Sequence, residues 1–380
     1  MNKAFNLLRP TGHWPLITDH RSLCLGLLLI ITSTGCHSIG PRTVVTDRFD
    51  YSTAIADSWK QQTLLNIVKL RYLDLPVFVD VSSVVAGYSL QTGISAGGTL
   101  STEKAVQGNF LTASGQAIYT DRPTITYTPL TGQKFLRGLM TPIEPKNIFF
   151  MLQSGYAADF VLALTVDSLN GLHNRSNSAG ALREADPDFV RVLQLMRDVQ
   201  VAGGVGVRVQ ENSDKSETTV MFFRRDNLPP ETLDKIAEIR RLLKLSPDRQ
   251  QFKLVYSPTV GADDELAVGS RSMLLIMAAM SSYADVPAAD VKSGRALPSP
   301  FPAGDEDVLN GADAKSPVRI KCSPQKPESA FASVHYRDQW FWVDDTDWRT
   351  KRAFTSIMFL FTMMDNPGDE KLPLITIPAH

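Results

Sequence analysis

The chain has 380 residues, three cysteines and a formal net charge of −1 at pH 7. A chain of this length buries enough apolar surface to fold without disulfides or a structural metal. Its 39 basic and 40 acidic residues nearly cancel, which excludes a strongly basic protein and gives no indication of a nucleic-acid partner.

Residues 1–35 have the pattern of a secretory signal peptide. Lys3, Arg9 and Arg21 precede an apolar run over 23–31, and small polar residues then lead to Cys36. An apolar helix of this length rises only about 14 Å, whereas ~30 Å of hydrocarbon separates the two faces of a bilayer. We therefore expect cleavage of this segment and not its retention as a membrane-spanning anchor.

The segment that ends at Cys36 resembles the lipobox of bacterial lipoproteins. Ser33-Thr34-Gly35-Cys36 places small residues before a cysteine, although Ser33 stands where that motif usually has Leu. In the lipobox the thiol receives a diacylglyceryl group, and His37 in place of Asp after the cysteine implies sorting to the outer membrane. The resemblance predicts a chain anchored through acylated Cys36 to the outer membrane and facing the periplasm. The alternative is an ordinary secreted protein.

Residues 36–50 are predicted to be a polar tether, interrupted by Gly40 and Pro41. From Tyr51 to Leu73 the apolar residues fall at helical spacing, and Pro76 ends the pattern. We interpret this segment as an amphipathic helix that packs on the body of the protein; a partner-binding helix is the alternative. Together with a hairpin that follows, it forms an N-terminal region over 51–145.

Two arms of alternating polarity cover residues 84–100 and 107–120, with a turn at 101–104. Alternation with a period of two predicts strands, here one long β-hairpin with a mostly apolar face and a face of small polar residues. Neither arm carries a charged residue, which is typical of transmembrane β-strands. The candidate membrane-facing residues are Tyr88, Leu90, Ile94, Leu100, Leu111, Ala117 and Tyr119.

This hairpin has two interpretations. A soluble antiparallel sheet with one wet face is the commoner source of such alternation, but a wet face usually carries charged side chains. A membrane hairpin fits the uncharged arms. Because one hairpin cannot close a barrel, that interpretation requires several subunits that each donate one.

The remaining sequence predicts an α+β fold with mixed, mostly antiparallel sheets and packed helices. Over 146–285, helices alternate with strands, and one amphipathic helix runs from Pro187 to a stop at Gly203. Residues 286–316 are rich in Pro, Gly, Ala and Asp and are predicted to be a flexible surface loop. Strands and one helix over 317–380 are expected to complete the domain.

Sequence signatures of catalysis are scarce. The chain has no H-E-x-x-H or P-loop motif. Its single G-x-S-x-G match, Gly93 to Gly97, lies inside an arm of the predicted hairpin and not at a strand-to-helix turn. His173 fits a surface loop better than a general base. Asp344, Asp345 and Asp347 form a dense carboxylate cluster, which suits a metal site or an acid pair on one interpretation. On the other, they cap the following helix and are neutralised by nearby basic residues. No catalytic residue, metal site or cofactor is predicted.

Short pieces spread over most of the mature chain resemble an uncharacterised family of outer-membrane-type bacterial lipoproteins. The pieces are Gly35-Cys36, Leu70-Arg71-Tyr72, Thr124 to Leu130, Ser168 to Gly171, Arg271-Ser272, Trp340 to Asp345 and Thr376 to Pro378. The resemblance implies a compartment and the extent of the mature domain, and it implies no activity or functional residue.

Three functional hypotheses follow. The first is an outer-membrane-anchored lipoprotein that acts as a non-catalytic binding or assembly module of the cell envelope, with membrane lipid and an envelope protein as partners. The second is an oligomeric lipoprotein channel in which each subunit donates the 84–120 hairpin to a shared β-barrel. The third is a periplasmic hydrolase that uses Asp344, Asp345 and Asp347.

Overall fold

A computed structural model of the chain describes residues 40–85, 87–99, 110–130, 133–176, 183–211, 217–298 and 318–364. The helices are α1 (Gly40–Arg71), α2 (Gln133–Met140), α3 (Pro145–Gln153), α4 (Ala158–Thr165), α5 (Pro187–Val201), α6 (Pro230–Leu242), α7 (Met273–Ser281), α8 (Ala288–Lys292) and α9 (Trp348–Met364). The strands are β1 (Phe78–Val85), β2 (Tyr88–Thr99), β3 (Phe110–Asp121), β4 (Thr124–Leu130), β5 (Val166–Leu169), β6 (Leu172–His173), β7 (Val205–Glu211), β8 (Glu217–Phe223), β9 (Gln251–Tyr256), β10 (Glu265–Ser270), β11 (Lys321–Ser323), β12 (Ala332–Tyr336) and β13 (Gln339–Val343). The fold class is α+β, as predicted.

The chain divides into two compact units. Of the described residues, those within 40–52 and 87–123 form the hairpin unit, and those within 53–85 and 124–364 form the body. The first thirteen or so residues of α1, with strands β2 and β3, belong to the hairpin unit. All other described elements belong to the body.

A six-stranded sheet with the order β6-β5-β10-β9-β8-β7 forms the centre of the body. Its pairs are antiparallel except β9 with β10, which are parallel. The α5 face predicted from its helical spacing is buried, as shown by Phe189, Leu193, Met196 and Val199. Because Gly203 adopts a positive φ of 68°, it ends this helix as predicted.

Strand β10 was absent from the sequence-based prediction. Its residues Leu266 to Ser270 are all buried, and since successive side chains point to opposite faces, both faces of the strand are covered. Strands β5 and β9 pair with its two edges. A strand buried on both faces shows no alternation of polar and apolar residues. The apolar segment 160–169 likewise shows no clear period, and the structure divides it between α4 and β5.

A second, three-stranded sheet of the body has the order β11-β13-β12. Phe341 and Val343 of β13 are fully buried, whereas Trp340 and Trp342 are half-buried. Helix α9 contributes its own buried residues Ala353, Phe354, Ile357 and Leu360 to the core. One face of this aromatic strand is therefore part of the core, because its side chains alternate between the two faces.

Two predicted boundaries are corrected by the structure. The tether was expected over 36–50, but α1 already begins at Gly40. Proline is tolerated in the first turn of a helix, where no intrahelical partner for its missing N–H is needed, so Gly40-Pro41 marks a helix start and not an interruption. The loop expected over 286–316 opens with helix α8, launched by Pro287; residues 299–316 lie outside the described part of the chain.

Candidate functional site

Strands β2 and β3 pair antiparallel over twelve residues each, from Tyr88 opposite Asp121 to Thr99 opposite Phe110. Beyond this pairing, the N–H of Arg122 donates to the carbonyl oxygen of Gly87 at 2.9 Å. A Cβ atom at Gly87 would lie 3.2 Å from the carbonyl oxygen of Arg122, which is a tight contact. Glycine therefore permits the close approach of the two arms at this end.

The register aligns the apolar positions of one arm with those of the other. Leu90 lies opposite Tyr119, Ile94 opposite Gly115, and Gly98 opposite Leu111. Tyr88 and Tyr119 lie diagonally across the ribbon with their rings stacked, 6.3 Å apart between centroids. The predicted candidate Leu100 lies outside the described residues.

Most of the intervening positions of both arms are small or polar, and Ile118 and Phe110 are the exceptions. Gly93 lies opposite Gln116 and Ser95 opposite Ser114, and the two serine hydroxyl groups are hydrogen-bonded at 2.5 Å. Residues directly opposite in an antiparallel pair share one face of the ribbon. The alignment thus separates an apolar set of positions from an uncharged polar set.

Both sides of this ribbon are open to solvent in the single chain. Ile118 is 43% exposed and Tyr119 is 56% exposed, and these neighbours in sequence belong to opposite faces. Within the described residues, β2 and β3 form a sheet of their own, with no third strand. Each arm therefore presents an outer row of backbone N–H and C=O groups that a further strand can pair with.

The carboxylates of Asp344, Asp345 and Asp347 are each held by neighbouring groups. Asp344 accepts hydrogen bonds from Lys321 Nζ at 2.8 Å and from Thr346, whose N–H is 2.9 Å away. The Lys321 hydrogen bond, with those of Thr346, holds the pKa of Asp344 well below its usual range. Asp345 pairs with Lys351 at 2.8 Å.

Asp347 caps the start of α9. Its Oδ1 atom accepts the N–H of Thr350 at 3.1 Å and its Oδ2 atom accepts the Thr350 hydroxyl at 2.5 Å. Because the carboxylates lie at the positive end of the helix and their partners are hydroxyls and ammonium groups, the arrangement stabilises the helix terminus. This geometry favours the capping interpretation over an acid pair.

His173 lies in the short strand β6, directly opposite Ser168 of β5. Its backbone N–H donates to Asp186 Oδ2 at 2.7 Å, whereas its ring Nδ1 atom has no hydrogen-bond partner among the described residues. The hydroxyl of Ser168 is buried and donates to the carbonyl oxygen of Pro258. The serine is therefore engaged by the backbone and is not presented to a substrate.

Neither a metal site nor a membrane-crossing helix occurs among the described residues. They include no group of three or more His, Cys, Asp and Glu side chains that could hold a metal ion. None of their helices combines the length and the apolar character that a membrane crossing needs. Cys322 is half-buried, and burial raises the pKa of its thiol to about 11, so the thiol stays protonated at neutral pH.

A polar cluster joins the end of α1 to α8 and to the β12–β13 turn. The hydroxyl of Tyr72 donates to Asp290 at 2.9 Å, and Asp74 accepts from the Tyr336 hydroxyl and from Arg337 at 3.0 Å. The Arg337 guanidinium also lies over the Tyr72 ring, 4.8 Å from its centroid. Sequence reasoning missed this cluster because its members are far apart along the chain.

Exposed apolar residues on the first turns of α1 were also missed. Val44, Val45 and Phe49 are 57%, 63% and 68% exposed. The sequence analysis placed them within the predicted polar tether. The absence of a helix breaker after Pro41 is a signal that a helix can begin there, and it could have revealed them. They belong to the stretch of chain nearest to the predicted lipid anchor.

No family model, curated protein or solved structure matches the chain. The resemblance to bacterial lipoproteins therefore stays a prediction.

Proposed function

We propose that this chain is an outer-membrane lipoprotein, anchored through acylated Cys36 and facing the periplasm, that acts as a binding and assembly module of the cell envelope. The proposal joins two features. The signal pattern and lipobox of residues 1–36 predict the anchor. The two-stranded ribbon of β2 and β3 supplies the surface for assembly.

The unpaired edges of this ribbon carry the proposal. An isolated two-stranded hairpin is marginally stable in water, and a third strand or a covered face is needed for independent stability. In the described part of the chain, β2 and β3 have each other alone as strand partners. Pairing with strands of other copies or of an envelope protein would satisfy the outer backbone groups and cover the ribbon.

The mass of the particle extracted from membranes in mild detergent tests the assembly. We expect a complex of several chains, and we expect Ser114→Pro to reduce it to single chains because proline removes a backbone donor and distorts the strand. Ser114→Ala is the matched control and should keep the complex. A wild-type particle that contains one chain, by native mass measurement, would contradict the proposal.

Membrane fractionation with an alkaline wash tests the anchor. We expect Cys36→Ala to release the chain from membranes, since removal of the thiol removes the attachment point of the lipid. If the variant stays bound, the Cys36→Ala, Ser114→Pro double variant decides the reason. Its release would show that the hairpin also holds the membrane, and its continued retention would count against both features.

A shared β-barrel is the second candidate function, and the uncharged arms of the hairpin favour it. Strand β2 and strand β3 up to Thr120 carry no charged residue, and each of these stretches reaches the 9 to 11 or so residues that a tilted transmembrane strand needs. The register places Leu90, Ile94, Leu111, Ala117 and Tyr119 in one row. Most positions of the other row are Gly, Ser, Thr or Gln, with Ile118 and Phe110 as the exceptions. That division matches a strand with lipid on one face and a water-filled lumen on the other.

Conductance in planar bilayers tests the channel. Ala117 and Gln116 are adjacent residues assigned to the lipid face and to the lumen face. We expect Ala117→Lys to abolish channel insertion, because a lysine on the lipid face costs roughly 2 to 4 kcal/mol per subunit. Gln116→Lys should leave insertion intact and shift the ion selectivity toward anions. Absence of conductance in the wild type, or equal effects of the two variants, would remove this candidate.

A further inference from the structure

The first turns of α1 divide into an apolar side and an acidic side. Successive residues of a helix are rotated by about 100°, which places Val44, Arg48, Val45 and Phe49 within an arc of about 140°. Asp47 and Asp50 lie on the remaining part of the circumference, together with Thr46. In the structure Val44, Val45, Arg48, Phe49 and Asp50 are all exposed.

The position of this surface in the chain identifies what covers it. Only residues 37–39 separate Cys36 from Gly40, where α1 begins, and even a fully extended connection of this length spans no more than about 14 Å. Val44 lies only about 6 Å further along the helix axis. An acyl group at Cys36 would therefore keep the start of this helix face within about 20 Å of the membrane surface.

The charges fit the same occupant. Arg48 lies between the apolar residues, where its long aliphatic stem can follow them while its guanidinium reaches a lipid phosphate. The carboxylates of Asp47 and Asp50 point away from that side, so they do not face an anionic surface. Amphipathic helices that lie in the plane of a bilayer have this division of apolar and polar faces.

We infer that the first turns of α1 form a second membrane contact, in which Val44, Val45, Phe49 and Arg48 insert into the headgroup region of an anionic phospholipid surface. The inference rests on the proposed function, because the anchor at Cys36 supplies the proximity. A surface already tethered to the membrane needs little affinity of its own, since the tether makes binding intramolecular.

Quenching of a fluorescent probe by nitroxide-labelled phospholipid tests the inference. The mature, full-length lipoprotein is reconstituted in vesicles of phosphatidylethanolamine and phosphatidylglycerol, with Cys322→Ser so that a single thiol is labelled. An environment-sensitive probe is placed by Val45→Cys or Phe49→Cys on the apolar side and by Thr46→Cys or Asp50→Cys on the other. These positions are exposed on the helix, so the substitutions do not disturb packing within the chain.

We expect at least about threefold stronger quenching at positions 45 and 49 than at 46 and 50, as in a helix lying in the interface. Equal quenching at all four positions, or none, would overturn the inference. A probe at position 49 that reports an apolar environment without quenching would also overturn it, because a second copy of the chain would then cover the face.

Mass measurement of the N-terminal peptide from the same samples separates this inference from the proposed function. An acylated Cys36 together with a flat quenching pattern refutes the membrane-lying helix alone. A peptide without the acyl group refutes the proposed anchor, whatever the probes report.

Discussion

Asn170 and Ala267 are joined by two hydrogen bonds across the central sheet. The backbone N–H of Asn170 donates to the carbonyl oxygen of Ala267 at 2.9 Å, and the side-chain Oδ1 atom of Asn170 accepts the N–H of Ala267 at 2.6 Å. The amide Nδ2 atom donates to the carbonyl oxygen of Leu243 at 2.7 Å. Because Asn170 is only 4% exposed, water cannot easily replace its side chain as the hydrogen-bond partner of these backbone groups.

We expect Asn170→Asp to destabilise the fold by about 2 to 3 kcal/mol at pH 7, because a carboxylate cannot donate to the Leu243 carbonyl and is buried as a charge. Urea unfolding measures the loss. Near pH 4 the loss should shrink, since a protonated carboxyl recovers a donor. Asn170 and Asn227 both have a positive φ, of 43° and 58°, but Asn227 is exposed. Asn227→Asp is therefore the matched control, and its effect should stay below about 0.5 kcal/mol. Equal losses for the two variants would contradict this role of Asn170.

The local patterns of the sequence predicted the elements that have one buried face. Helices α5 and α9 and strand β13 follow from their spacing of apolar residues, because one side of each faces the core. Strand β10 could not be predicted in this way, since it is covered on both sides. Long-range partners such as Asn170 with Ala267 leave no periodic trace, because their contact depends on how the sheet is assembled.

In the candidate site too, local patterns predicted some features and missed others. The alternation of residues 88–99 and 110–121 predicted which positions belong to each face of the ribbon, because side chains of a strand alternate. The capping role of Asp347 also follows from its place before a helical pattern. The amphipathic start of α1 was missed because Gly40 and Pro41 suggested a break, although a proline in the first turn is compatible with a helix.

Arg271 is expected to be a second point of high sensitivity in the body. Its guanidinium donates to the carbonyl oxygens of Ala163 and Leu164, each at 3.3 Å, near the end of α4 and lies 3.7 Å from Asp167. Its side chain is 8% exposed, and burial lowers its pKa. We expect Arg271→Ala to cost about 3 kcal/mol, because carbonyls and a carboxylate lose their donor in a buried setting.

Arg271→Lys should recover less than half of that loss, since one ammonium group cannot reach all these acceptors together. Arg183→Ala provides the control, because Arg183 contacts the same Asp167 at 3.1 Å with a side chain that is 45% exposed. Its cost should lie below about 1 kcal/mol. Chemical denaturation of the three variants measures the loss of the free energy of unfolding. A loss for Arg183→Ala as large as that for Arg271→Ala would refute the prediction.

The register of the hairpin can be tested with an engineered disulfide. Ser95 and Ser114 lie directly opposite each other, and cysteines at directly opposite positions of an antiparallel pair are close enough to be bridged. We expect the Ser95→Cys, Ser114→Cys variant to form an intramolecular disulfide on export, detected as faster migration in non-reducing electrophoresis. Ser95→Cys with Gln116→Cys is displaced by two residues and should bridge far less. A preference for the second pair would show a different register.

Asp344 should contribute stability that depends on pH. Its folded pKa lies below the ordinary value. Its contribution to the free energy of unfolding is therefore fully present above the unfolded pKa of about 3.9, and it is lost as the pH falls through the folded pKa. The side chain is 32% exposed, and solvent screening limits the contribution to about 0.5 to 1 kcal/mol. We therefore expect Asp344→Asn to lower the free energy of unfolding by this amount at pH 7 and by progressively less below pH 4.

The partner of Asp344 provides the control for this titration. Lys321→Met removes the ammonium group that lies 2.8 Å from the carboxylate, so it should reproduce most of the loss at neutral pH. Its own effect must also fade on acidification, because the protonated carboxyl no longer attracts a cation. If the Asp344→Asn loss stays constant down to pH 2, then packing and not the ion pair stabilises this part of the fold, and the prediction is wrong. A fading loss in both variants assigns the stability to the charge pair that fixes the start of α9.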